Sequence, residues 1–165
     1  MCGIVGYIGT HQAAPVLLDG LAKLEYRGYD SAGIAVYDGE KIRMEKAVGR
    51  LKVLEELTQD GATLPGTVGI GHTRWATHGV PSDLNAHPHF NHDHSIVVVH
   101  NGIIENYLKL KKKLAGKGYE FLSETDTEVI AHMLDYYYKG DPLDAISKVM
   151  HRMEGSYGLG IMFRD

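Results

Sequence analysis

The sequence predicts an α+β domain built around one core, and three observations carry that expectation. Short apolar, β-branched runs bounded by glycine occur at residues 2–9, 95–100 and 156–163, and have the length of strands rather than helices. Between them, apolar residues return at three- and four-residue spacing among polar neighbours, the period of a helix lying on a core. The 165 residues, 44% of them hydrophobic and 23% charged, suffice for one buried core rather than two. No repeat, low-complexity linker or composition break divides residues 1–165, so a single domain is expected.

Taken in order, residues 2–9 form the first strand. A helix is expected over 12–26, with Pro15 in its first turn and Leu17, Leu18, Leu21 and Leu24 on one face. A polar loop at 27–31 leads to a strand over 32–37, and Asp38-Gly39 is a hairpin signal before a second strand at 41–48. Leu51, Leu54 and Leu57 mark a short helix, closed by the turns at Asp60-Gly61 and Pro65-Gly66. Residues 67–71 read as a strand, followed by a long polar segment over 72–94, a length without periodicity that points to function. The strand at 95–100 ends on Asn101-Gly102. A lysine-rich helix over 106–117 stops at Gly118, and 119–122 reads as a short strand. Thr125 or Asp126 can cap a helix reaching Tyr138, and Asp141-Pro142 caps and starts another to about Met153, before the strand at 156–163.

Composition excludes several classes of function. A net charge of −4 supplies no basic field for nucleic acid or an anionic membrane. One cysteine permits neither an internal disulfide framework nor a thiolate-rich zinc site. The N-terminus lacks the basic and apolar regions of a signal peptide, and no apolar run approaches the roughly 18 residues of a membrane helix. These features lead to the expectation of a cytoplasmic protein with no nucleic-acid and no membrane partner.

The residues that can carry chemistry fall in a few stretches. If Met1 is removed, Cys2 carries a thiol beside a free α-amine; the amine titrates at about 7.7–8.0 and a thiol at about 8.5, so the pair is a nucleophile with its own base. The same lone cysteine can equally be a small buried hydrophobe. The run from His72 to Gly79 places Arg74, Trp75, Thr77 and His78 after a strand, and arginine presents a donor fork suited to a carboxylate. Asn101-Gly102 reads either as a hairpin turn or as a side-chain amide and a backbone N–H converging on one oxygen. Glu124, Asp126 and Glu128 alternate with threonines and serve either a helix N-terminus or a ligand ammonium. His87, His89, His92, His94 and His100 crowd together with His-x-His spacing, the pattern of a zinc, nickel or copper ligand set, although Pro88, Asn91 and Asp93 give the segment loop character. Lys109, Lys111, Lys112 and Lys113 read as a solvated helix face, and no phosphate-binding glycine motif is complete.

Five stretches together resemble one family, the class II glutamine amidotransferases: residues 2–6, 24–33, 72–79, 85–89 and 100–106, with 123–128 added to narrow the resemblance within it. Within it the chain is most similar to the branch that aminates fructose 6-phosphate to glucosamine 6-phosphate. The resemblance implies an N-terminal-nucleophile hydrolase fold, a four-layer αββα sandwich of two antiparallel sheets between helices, of which this chain holds the N-terminal part. It implies that Cys2 attacks the side-chain amide of L-glutamine and that its α-amine acts as base through a water. Asn101 and the Gly102 N–H would receive the oxyanion, Arg74 the α-carboxylate and Asp126 the α-ammonium. Trp75, Thr77 and His78 would line and close the pocket, with Arg27 near the cysteine. No cofactor and no metal are implied; the partner is a sugar-phosphate isomerase domain in the full-length protein, which uses the ammonia. The other readings are the glutaminase domain of a different class II amidotransferase and an inactive, histidine-rich fragment.

Overall fold

The computed structural model describes residues 2–76 and 79–165. The chain runs through β1 (Gly3–Ile8), α1 (Ala13–Ala22), a 3-10 turn (Glu25–Arg27), β2 (Ser31–Tyr37), β3 (Ile42–Val48) and α2 (Leu51–Thr58). It continues through β4 (Val68–Arg74), β5 (His89–Phe90), β6 (Ile96–Ile104), α3 (Tyr107–Ala115), α4 (Thr127–Tyr137), α5 (Pro142–Met150) and β7 (Gly155–Phe163). The strands form two sheets, ordered β1-β4-β2-β3 and β5-β6-β7, and every pairing is antiparallel.

Alternation along the strands sorts their side chains into layers. On β6, Ile96 and Val98 point to the helical side, where they meet Val129, Ile130 and Leu134 of α4, Leu110 of α3 and Val149 of α5. Val97 and Val99 point the other way, against Ala35 and Ile70 of the first sheet. Beyond that sheet, Ile34 and Val36 of β2 pack on Leu17 and Leu21 of α1 and Leu51 and Leu54 of α2. The result is helices, sheet, sheet, helices. Each fully buried leucine or isoleucine contributes about 1.5–3 kcal/mol, which sets the scale on which these layers hold together.

Polar side chains close the turns. The Asp38 carboxylate accepts from the N–H groups of Glu40 (2.9 Å) and Lys41 (2.8 Å), fixing the β2–β3 hairpin around Gly39, whose φ is +98°. Asp141 caps α5 as expected, accepting from the N–H groups of Leu143 and Asp144.

Four expectations are corrected. The first helix ends at Ala22, and the chain enters a 3-10 turn that lets Gly28 pass against the main chain of β4; a Cβ there would lie 2.7 Å from the Arg74 carbonyl carbon. β4 continues three residues past Gly71, because its polar end still pairs on both sides, with Gly3↔Thr73 and Ser31↔Arg74. β6 runs through Asn101-Gly102 to Ile104, paired to β7 by Asn101↔Gly158 and Gly102↔Tyr157, so this dipeptide is not a hairpin turn. Residues 119–122 form no strand: the Leu122 and Ser123 N–H groups donate instead to the Glu128 carboxylate at 2.8 and 2.7 Å. Burial alone would raise the Glu128 pKa, but bonds from His132, Ser123 and these N–H groups hold it well below the usual carboxylate range.

Candidate active site

The inter-sheet layer changes character along its length. On β4 the row facing the second sheet reads Ile70, His72, Arg74; on β6 it reads Val97, Val99, Asn101; on β1 it runs from Ile4 back to Cys2. Apolar packing in the middle thus gives way to polar side chains at one end. Antiparallel register brings the start of β1 to the end of β4, which places Cys2 beside Trp75, although 73 residues separate them in sequence.

At that end lies a cavity of about 580 Å³, lined by Cys2, Arg27, Arg74, Trp75, Asn101, Gly102 and Asp126 together with His87, His100, Ile103, Thr127, Ser156 and Tyr157. Every described residue that the sequence singled out for the site meets here. Thr77 and His78 lie outside the described residues.

The Cys2 thiol is partly exposed. Its Sγ accepts from the Trp75 N–H at 3.2 Å and lies 3.6 Å from the Trp75 carbonyl oxygen. The loop that presents this N–H is held by Asp30: its carboxylate accepts from the Ala76 N–H, and its own N–H donates to the Arg74 carbonyl at 3.2 Å. The Asn101 Nδ2 donates to the Cys2 carbonyl oxygen at 3.1 Å. Gly102 adopts φ +122°, and a Cβ there would collide with the Ser156 carbonyl oxygen, so only glycine lets β6 pass this point.

Arg74 is buried. Burial lowers its pKa, opposed by the negative charge of Asp30, Cys2 and Asp126, and its Nη2 donates to the Gly79 carbonyl oxygen at 3.2 Å. It remains a guanidinium cation under these conditions. Asp126 precedes α4 but does not cap it; its Oδ2 accepts from the Ile104 N–H at 2.9 Å and its Oδ1 lies 3.9 Å from His100 Nδ1. The cavity therefore has a buried cation at the end of β4 and a buried carboxylate just before α4, held against β6 by the Ile104 N–H.

The histidines divide. His87, His89 and His100 are buried and each meets a threonine hydroxyl: His87 Nε2 and His100 Nδ1 lie 2.6 and 2.9 Å from Thr127 Oγ1, and His89 Nε2 lies 3.1 Å from Thr125 Oγ1. Burial pushes the pKa of His72 down to about 4 and those of His87 and His89 well below their ordinary value, so all three are neutral. His92 and His94 are exposed, the latter stacked on Phe90. Among the described residues, no group of three or more His, Cys, Asp or Glu side chains is placed to hold a metal ion.

Sequence reasoning missed Asp30, His72, Thr127 and Tyr157 as members or supports of the site. Asp30 and His72 stand within stretches already singled out, but only strand register shows what they touch. Thr127 likewise stands in the singled-out stretch 123–128, whereas no pattern in the sequence marks Tyr157.

Residues 72–165 match the family described as "Glutamine amidotransferase domain". The chain is 62% identical over 165 residues to a glutamine–fructose-6-phosphate aminotransferase (isomerizing) of Caldanaerobacter subterraneus subsp. tengcongensis, a match that covers all of this chain and 27% of the relative. It is 54% identical to the protein of the same name from Thermus thermophilus, again over 27% of its length. Among solved structures, a glutamine phosphoribosylpyrophosphate amidotransferase from B. subtilis superposes with a TM-score of 0.84 at 30% identity, over 99% of this chain and 35% of that one. A glutamine aminotransferase class-II domain protein from Silicibacter pomeroyi shares the fold, with a TM-score of 0.60 at 16% identity over 82% of this chain and 65% of that one. The four layers, with Cys2 at the open end of the inter-sheet space, are those of the N-terminal-nucleophile hydrolases. The chain belongs to the glutamine amidotransferase domain family. It spans about a quarter of the length of the curated relatives it matches.

Proposed function

We propose that this domain hydrolyses the side-chain amide of L-glutamine and delivers ammonia. One observation carries the reading: Cys2, Asn101, Gly102, Arg74 and Asp126 line a single cavity. Glutamine carries an α-carboxylate and an α-ammonium at fixed separation, and Arg74 at the end of β4 and Asp126 before α4 offer the complementary charges. Its side-chain amide develops an oxyanion on attack, and the Asn101 amide and the Gly102 N–H are neutral donors for it.

The steps use only groups of this chain and water. Removal of Met1 frees the α-amine of Cys2, which takes the thiol proton through a water. Sγ then bonds to the amide carbon of glutamine and the carbonyl electron pair moves onto oxygen. As the carbonyl re-forms, the C–N bond breaks and the nitrogen leaves as ammonia with the proton held by the α-amine. Water attacks the resulting γ-glutamyl thioester, the C–S bond breaks, and glutamate and the thiol are released. Trp75, exposed at the rim and set edge-on to Tyr29 with ring centroids 5.4 Å apart, covers the substrate. Arg27, which lines the same cavity as Cys2, adds positive potential to it.

In the full-length protein the ammonia would aminate fructose 6-phosphate to glucosamine 6-phosphate, through a sugar-phosphate isomerase domain beyond these residues. The 62% identity to an aminotransferase of that name, against 30% to the phosphoribosylpyrophosphate enzyme, supports this branch over its neighbour. The test is ammonia release from glutamine by the purified protein and by Cys2→Ser. Release by the parent and none by the variant is expected; equal release by both would overturn the assignment of the nucleophile.

A further inference from the structure

Asn101 can donate to an oxyanion only if its amide is turned the right way, and an asparagine amide does not settle its own orientation. The chain settles it from behind. His72 Nε2 lies 3.1 Å from the His100 carbonyl oxygen and 2.9 Å from the Asn101 side-chain oxygen, and His72 is fully buried. A backbone carbonyl only accepts, so Nε2 must carry the imidazole proton. With an N–H facing it, the Asn101 amide presents its oxygen to His72 and its NH2 to the other side, where one hydrogen meets the Cys2 carbonyl at 3.1 Å. The second hydrogen is left for the cavity. A flipped amide would set donor against donor at His72 and acceptor against acceptor at Cys2.

The imidazole is itself held. The His87 ring stacks on it with centroids 4.2 Å apart and planes 21° apart, and His87 Nε2 is anchored 2.6 Å from Thr127 Oγ1. We infer that His72 is a positioning residue for the proposed glutaminase reaction: its Nε2–H, assigned by the His100 carbonyl, locks the Asn101 amide with Nδ2 toward the nucleophile. This inference rests on the proposed function. It gives His72, whose place in the strand marks it only as core, an effect on turnover rather than on substrate binding.

The test compares His72→Leu, which fills the space without a donor, with His72→Gln, whose side-chain NH2 reaches about as far as Nε2. His72→Leu should lower kcat for glutamine hydrolysis about 10- to 100-fold, as loss of a group that orients a reacting residue commonly does, with KM changed less than about twofold. His72→Gln should recover most of that loss. In an Asn101→Ala background, His72→Leu should have no further effect, because the group it positions is gone. Additive losses, or a Gln variant as slow as the Leu variant, would reduce His72 to a packing residue. Should the Leu variant not fold, two-bond proton–nitrogen correlation spectra of the parent report the tautomer directly. A proton on Nε2 is expected, and a proton on Nδ1 overturns the inference. Hydrolysis by the parent protein but not by Cys2→Ser, measured alongside, separates the two levels: if it is missing, the proposed function fails and this inference falls with it.

Discussion

The N–H of Trp75 points at the Cys2 thiol across 3.2 Å, from a loop whose next N–H, that of Ala76, is gripped by Asp30. A backbone donor aimed at sulfur fixes where the thiol sits, and it is available because β1 and β4 pair so that Gly3 faces Thr73. Asp30→Ala should loosen this loop and lower kcat while leaving Cys2 in place. Asp30→Asn, which keeps an oxygen acceptor, should recover part of the rate. The measurement is glutaminase kinetics of the two variants side by side.

Asn101 and Arg74 should separate kinetically. Asn101→Ala removes one proposed oxyanion donor and should reduce kcat about 10²- to 10³-fold with little change in KM. Arg74→Ala should chiefly raise the KM for glutamine, because the carboxylate partner is needed in the ground state and the transition state alike. Steady-state kinetics in which Asn101→Ala raises KM and Arg74→Ala lowers kcat would reverse the two assignments.

Asp126 accepts from the Ile104 N–H and is proposed to hold the substrate ammonium, and different substitutions should separate the two. Asp126→Asn keeps an oxygen for the Ile104 N–H but loses the negative charge, so KM should rise while the thermal midpoint stays near that of the parent. Asp126→Ala also strands a buried N–H and should cost about 1–3 kcal/mol of stability in addition. Chemical denaturation beside kinetics checks both.

Stability should fall on mild acidification. The folded protein holds His72 neutral down to about pH 4, whereas the unfolded chain takes up a proton near the ordinary value of 6.5. Between those values the unfolded state binds more protons, so unfolding free energy decreases as pH drops from 6.5 towards 4. His72 alone accounts for a change on the order of 3 kcal/mol, and His87 and His89 shift in the same direction. Denaturant titrations across this range should show stability rising with pH up to about 6.5 and levelling above it. A flat profile would mean the buried imidazoles are charged.

Much of the fold was legible because the period-2 and period-3.6 patterns were clean. Ile34 and Val36 opposite Leu17 and Leu21, or Val97 and Val99 between two sheets, follow from alternation once the strands are found. Where polar residues continue a strand, the pattern failed. His72, Thr73 and Arg74 looked like loop because a site replaces the core there, and Asn101-Gly102 looked like a turn for the same reason. Asp126 looked like a helix cap because only the three-dimensional fold brings the Ile104 N–H to its carboxylate. Cys2, Arg74 and Asn101, which line one cavity, stood out in the sequence by their chemistry, and the motif resemblance gave them their expected roles. Asp30 and His72 were not assigned, since their roles lie in contacts made across strands.

The nucleophile itself is tested most directly by intact mass after treatment with a glutamine analogue that carries an electrophile at the amide position. A chain lacking Met1 should gain one adduct, mapped to Cys2 and prevented by excess glutamine, while Cys2→Ser gains none. A Met1-free chain that gains no adduct, or gains it at a residue other than Cys2, would contradict the assignment of Cys2 as the glutamine-hydrolysing nucleophile.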